Sequence, residues 1–234
     1  MDLEGKTALV TGASRRIGAE IVRCLARAGM RVAIHYRSHG REAKALAQET
    51  KGWALSSDLS LGRDAELLLA RVDRKMGPVQ LLIHNASVFH QGGLDLSQVD
   101  LGETAKVNFR APFLLTRSFV NLLPKDREGV VIGLVDYRAF SPGKENLVYT
   151  AYESALVSLL KGVQNAHTPL VRTGIVALGP ILPPEKGPTC SFEKAVSLAP
   201  GGVAGTPRAV GEGVIALASG QKKSPLSIAC RLPQ

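Results

Sequence analysis

Short apolar runs alternate along this chain with longer stretches in which apolar residues recur every three or four positions. Residues 6–11 (KTALVT) have an unbroken apolar centre and read as a buried strand. Residues 16–29 place Ile17, Ile21, Leu25 and Ala28 on one helical face and stop at Gly29. The same reading predicts strands at 31–36, 53–57, 80–84, 129–135, 171–178 and 225–232. It predicts helices at 41–50, 61–76, 103–123, 147–166 and 207–219. Gly77-Pro78 ends one helix and Pro124 ends another. Strand and helix alternating so regularly predict an α/β fold: a Rossmann-type, doubly wound parallel sheet in three αβα layers, as a single domain over 1–234. Residues 180–206 are rich in Pro and Gly and show no period. They predict a long loop of the kind that shapes a substrate site, a plain surface loop being the alternative.

Composition narrows the class. The 234 residues suit one α/β unit, and 45% hydrophobic content is ordinary for a packed core. No run approaches the ~18 apolar residues of a spanning helix, and the polar opening residues do not read as a secretory leader. Cys24, Cys190 and Cys230 are widely separated and odd in number, which argues against a disulfide framework or a metal site and for a cytoplasmic setting. The net charge of +9 raises a nucleic-acid partner, but the basic residues are scattered rather than massed in one arm. Neither nucleic acid nor membrane is expected as a partner; an anionic small molecule is.

The chemistry begins after the first strand, at Thr11-Gly12-Ala13-Ser14-Arg15-Arg16-Ile17-Gly18. A dinucleotide pyrophosphate needs a helix N-terminus and glycines that let the backbone approach. Gly12 opens the turn, Gly18 permits close helix–strand packing, and Arg16 replaces the middle glycine of the usual fingerprint. An ordinary tight turn is the bland alternative. The second strand ends in His35-Tyr36-Arg37-Ser38-His39, without the acid that NAD binders use to hold a ribose hydroxyl. Arg37 and Ser38, with Arg15, suit a 2′-phosphate instead, so NADP(H) is the expected cofactor.

With these residues the chain resembles the short-chain dehydrogenase/reductase family, in the variant found in pteridine reductases. Arg16-Ile17-Gly18 resembles that variant's phosphate motif, and Asp58-Leu59 the pair that contacts adenine. His84-Asn85-Ala86-Ser87 resembles the family's Asn-Asn-Ala-Gly, and Asn108 its relay asparagine. Asp136 stands where most members carry a serine and pteridine reductases an aspartate. Tyr149 follows at the spacing of the catalytic tyrosine. A second register, needing an insertion, would use Tyr152. The resemblance implies that Glu153 occupies the position of the family's lysine. Gly179-Pro180-Ile181 falls where Pro-Gly backs the nicotinamide, with the order transposed. The C-terminal Ser227 to Leu232 lacks the family's closing Asp-Gly-Gly, which bears on the dimer or tetramer expected of the family.

In the family the lysine lowers the tyrosine's pKa and holds the ribose. Two unit charges ~4 Å apart interact by about 1 kcal/mol in water and about 4 kcal/mol at an effective dielectric near 20. Since one pKa unit is about 1.4 kcal/mol, a carboxylate in place of the cation reverses an effect of about one to three units. Tyr149 becomes a poor base, a smaller handicap for a reductase, which needs a protonated donor. A buried Glu153 would itself turn neutral and keep a hydrogen bond for the ribose. The resemblance therefore implies an NADPH-dependent reductase of a C=N or C=O bond in a small heterocycle such as a dihydropterin. Asp136 and Tyr149 would handle protons and Asn108 would hold a relay water. Phe89 would stack on the ring or serve as a core aromatic. The alternative is an NADP binder that has lost the chemistry.

Overall fold

The computed structural model describes residues 1–185 and 189–229. The strands are β1 (Thr7–Val10), β2 (Arg31–Tyr36), β3 (Trp53–Ser56), β4 (Val79–His84), β5 (Gly129–Asp136), β6 (Val171–Leu178) and β7 (Leu226–Ile228). The helices are α1 (Arg16–Arg27), α2 (Gly40–Thr50), α3 (Gly62–Met76), α4 (Gln98–Thr104), α5 (Ala111–Leu122), α6 (Leu147–His167), α7 (Cys190–Leu198) and α8 (Pro207–Ser219). All seven strands pair in parallel in the order β3-β2-β1-β4-β5-β6-β7.

Burial on both faces explains the near-continuous apolar strands. In β1, Ala8 and Val10 join one core with Ile34, Leu81, Ile83 and the inner faces of α1, α2 and α8. Leu9 points the other way, into a second core with Leu82, Val131, Leu68, Phe119 and Leu160 from α3, α5 and α6. The doubly wound sheet with helices on both faces is thus the fold expected from the pattern.

Three elements depart from expectation. The helix predicted from 103 begins at Gln98, because Ser97 caps it: its hydroxyl accepts from Asp100 N at 3.1 Å and donates to Asp100 Oδ2 at 2.8 Å. That rod also widens into a π-helical turn at Ala105–Arg110 before α5 resumes. Inside the predicted loop 180–206 lies α7, which buries no residue and leaves Leu198 exposed. A helix without a buried stripe has no apolar period to read. The last strand is seen only as β7; residues 230–232 of the prediction, with Cys230, lie outside the described residues, as do 186–188 of the loop.

Phe119 is the largest wholly buried side chain, packed under β5 against Gly129. Phe119→Ala should cost about 3–5 kcal/mol of unfolding free energy with an unchanged denaturant slope. Urea titration checks this, and a loss below about 1 kcal/mol would mean that the second core is not packed as described.

Candidate active site

The strand order reverses at β1, which lies between β2 and β4. In such sheets a crevice opens beyond the carboxyl ends of the strands at that reversal. Gly12 sits there, with a left-handed φ of +59° that a side chain resists, and a Cβ on it would lie 2.9 Å from Ala86 Cα. Asn85, just past β4, donates from Nδ2 to the carbonyls of Thr11 (2.8 Å) and Gly12 (2.9 Å). Thr11 Oγ1 accepts from the backbone N–H groups of Asn85 and Ala86, both at 3.0 Å. A Cβ on Gly18 would lie 2.6 Å from Gly12 O, so α1 approaches this joint only with glycine there.

His35 ties the same turn to β2 and β3. Gly12 N–H donates to its Nδ1 at 3.0 Å, which leaves the ring proton on Nε2, 3.0 Å from Ser57 O. Burial drives its pKa down to about 4, against the opposing bond to Ser57. His84, at the end of β4, is likewise held neutral: burial pushes it to about 3, and its Nε2 lies 2.9 Å from Thr116 Oγ1.

A groove of about 350 Å³ runs from this joint along the ends of β1, β2 and β4. The structure brings Gly12, Ser14, Arg15, Arg16, Ile17, Gly18, Tyr36, Arg37, Ser38, Asp58, Leu59, Asn85, Ala86 and Ser87 together on its walls, as the sequence reading grouped them. Helix α1 opens there with no acid in its first turn and no side-chain cap, so its first N–H groups face the groove mouth undischarged. Arg16 adopts a left-handed backbone, at φ +54°, the region that glycine enters most readily. Its guanidinium reaches across to Pro183 O at 2.8 Å, and Glu185 bridges Arg15 and Arg16. Arg37 is engaged by Glu103 at 3.1 Å.

The second cluster lies at the end of β5. Asp136 accepts from Arg138 three times: from its backbone N at 2.9 Å, from Nε at 2.8 Å and from Nη2 at 2.6 Å. Glu153, on α6, is 3% exposed and accepts from the Asp136 backbone N–H at 3.0 Å, so its carboxyl turns to the strand end. Burial, with Asp136 nearby, pushes Glu153 up to about 8, while the bond from the Asp136 N–H and the charge of Arg138 oppose. Tyr149, one turn before it, neighbours Ser87 and meets Phe89 edge-on at 4.9 Å. Burial first, then the carboxyls of Glu153 and Asp136, raise the Tyr149 phenol far above its ordinary value. Tyr152 instead packs against Phe109 at 6.5 Å.

Asn108 uses its side chain on the chain after β4. It accepts from Val88 N and donates to Val88 O, both at 2.9 Å, and approaches Ser87 Oγ at 3.2 Å. The π turn presents it there. Gly179, Pro180 and Ile181 do not line the groove. Gly179 N bonds Ile228 O at 2.8 Å, Pro180 O accepts from Gly205 N at 2.9 Å, and Ile181 is buried in the first core. The sequence reading missed His35, Glu103, Arg138 and Glu185. Of these only Arg138 carried a local signal, a basic residue two places from Asp136.

A family model for short chain dehydrogenases matches residues 6–190. A cyclic-di-GMP-binding biofilm dispersal mediator protein of Escherichia coli is 34% identical over 76% of this chain and 73% of its own length. A short chain dehydrogenase of Pseudocercospora fijiensis is 32% identical over 75% of this chain, and the match spans 58% of that protein's length. FolM alternative dihydrofolate reductase 1 from Brucella suis, crystallised in complex with NADP, superposes with a TM-score of 0.89 at 29% identity, covering 97% of this chain and 94% of that one.

The two buried histidines set an acid limit on the joint. An unfolded histidine binds a proton below about pH 6.5. Folded His35 does so only near 4 and His84 only near 3. Stability is therefore full above about pH 6.5 and falls as the pH drops toward 4, by up to about 1.4 kcal/mol per pH unit for each ring. His35→Asn, which keeps an acceptor for Gly12 N–H, should remove one ring's share. Denaturant unfolding at pH 7 and pH 5 measures it, and equal pH slopes for the two proteins would refute the assignment.

Proposed function

The chain belongs to the short chain dehydrogenase family, and we propose that it is an NADP(H)-dependent reductase of a C=N or C=O bond in a small heterocycle such as a dihydropterin. The observation that carries this reading is one continuous crevice. Three arginines and a helix N-terminus stand on its walls, and Ser87, also on its wall, neighbours Tyr149, which Asp136 and Glu153 approach. The donor set fits a dinucleotide bearing a 2′-phosphate. Guanidiniums pair with phosphate, and the end of β2 carries no competing acid. The Brucella protein, whose name is that of a dihydrofolate reductase, was crystallised with NADP, which supports both halves of the proposal.

In this reading the turn from Gly12 to Gly18 holds the pyrophosphate, with Ser14, Arg15, Arg16 and Ile17. Tyr36, Arg37 and Ser38 hold the 2′-phosphate, and Asp58 and Leu59 flank the adenine. Asn85, Ala86 and Ser87 support the nicotinamide end, while Gly179, Pro180 and Ile181 are committed to β7 and the first core. The bound cofactor supplies the hydride. Tyr149 supplies the proton: its phenol stays neutral across the working range, and Ser87 orients it. Asp136, clamped by Arg138, serves as a fixed acceptor for a substrate N–H rather than as an acid. Asn108 sets the position of Ser87 through Val88. Glu153 stands in the family's lysine position and props the Asp136 strand end. Without a lysine, alcohol or amine oxidation, which needs a phenolate, is disfavoured relative to reduction. Pro183 and Glu185, from the segment expected to shape the substrate site, meet Arg16 at the groove.

A second reading is a non-catalytic NADP(H)-binding protein. It is favoured by the turn of Glu153 toward the Asp136 backbone and by the Arg138 clamp, which occupies the expected acid.

Incubation with NADPH and dihydrobiopterin or dihydrofolate, followed by nicotinamide absorbance, separates the two. Turnover is expected, and Tyr149→Phe should lower kcat by about 10²–10⁴-fold; tight NADPH binding with no turnover on a carbonyl and pterin panel would select the second reading. Arg37→Ala should raise Kd for NADPH by tenfold or more, about the worth of a charge-assisted pair, and leave NADH nearly unchanged. Equal losses for both cofactors would defeat the 2′-phosphate assignment.

A further inference from the structure

Arg37 does not stand alone at the groove lip. It lies just past β2 with its side chain half exposed, where a free arginine samples many rotamers. Glu103, from the last turn of α4, binds its Nη1 at 3.1 Å. The other oxygen of Glu103 lies 3.0 Å from His90 Nε2. His90 Nδ1 lies 3.3 Å from Asp100 Oδ1, and Asp100 Oδ2 accepts from Ser97 Oγ at 2.8 Å. An unbroken polar chain thus runs from the cap of α4, through the segment after β4, to the groove lip.

We propose that Glu103 is a positioning residue for Arg37, and that it sets the preference for a 2′-phosphorylated over an unphosphorylated dinucleotide. This rests on the NADP(H) reading of the groove. Among the described residues only Nη1 of Arg37 is engaged, which leaves the Nε–Nη2 edge for two parallel bonds to a phosphate. Glu103 is itself held by His90, so the guanidinium is fixed before any ligand arrives. Immobilising such a side chain in advance is worth up to about tenfold in affinity. A dinucleotide with a bare 2′-hydroxyl makes no use of that edge, so its binding does not depend on how Arg37 is held. Both carboxylate oxygens of Glu103 are engaged, one by Arg37 and one by the His90 ring, rather than aimed at the phosphate.

The test is a cofactor-resolved mutant cycle on the full chain, with Kd for NADPH and NADH measured by fluorescence or calorimetry. Glu103→Ala should raise Kd for NADPH by about tenfold and leave NADH within about twofold. Glu103→Gln, which keeps an oxygen acceptor for Nη1, should retain most of the affinity. In an Arg37→Ala background, Glu103→Ala should add nothing. Three results would overturn the proposal: equal losses for both cofactors, an undiminished Glu103 effect without Arg37, or tighter NADPH binding by Glu103→Ala. Selective loss in Arg37→Ala with no effect of Glu103→Ala removes this inference alone. An unselective Arg37→Ala removes the NADP(H) reading and this inference with it.

Discussion

The groove depends on one joint, where the backbone of Gly12 is fastened to both neighbouring strands. Its N–H is held by the His35 ring on the β2 side, and its carbonyl by the Asn85 amide on the β4 side. Thr11 adds two further bonds to the chain leaving β4. These contacts are buried or half-buried, so each is worth more than a surface hydrogen bond and each is costly to leave unmade. Because three strand ends share them, the turn from Gly12 to Gly18, the chain leaving β3 at Ser57 and the chain bearing Ser87 are held as one piece. Gly18 completes the joint by letting α1 close onto it.

Around that rigid centre the electrostatics divide by distance from solvent. At the groove lip, carboxylates and guanidiniums pair in the open, where each pair is worth little but orients long side chains. At the end of β5 the same groups lie mostly out of water, and their behaviour inverts. Glu153 is pushed toward its neutral form and Tyr149 away from ionisation. Arg138, not a lysine, is the cation there, and it is committed to Asp136. A reductive role for the phenol follows from that balance, under the reading proposed above.

Local chemistry made much of this legible from residues alone. Gly12 and Gly18 announce a backbone that must approach closely, and the alternation of Ala8, Leu9 and Val10 announces a strand with two buried sides. What stayed hidden has three causes. Glu103 and Glu185 meet their arginines across 66 and 170 residues, and no periodicity encodes such a meeting. His35 reads as one more strand residue until its ring is seen between Gly12 and Ser57. Helix α7 has no buried face, and the groove does not extend to Gly179, Pro180 and Ile181 although family position suggested them.

The widened turn at Ala105–Arg110 gives this rod a slack in chain length that ordinary α winding lacks. It sits between Gln98–Thr104, which carries Glu103, and Ala111–Leu122, which carries Leu115 and Phe119. Its wider winding takes up one residue without turning one flank against the other, whereas an uncompensated deletion in either flanking helix would rotate everything on one side by about 100° relative to the other. Either Glu103 and Asn108 would swing off the crevice, or Leu115 and Phe119 would swing off the sheet. Homologous chains can therefore lose one residue within this turn, while single-residue insertions and deletions in the helices on either side of it should be purged.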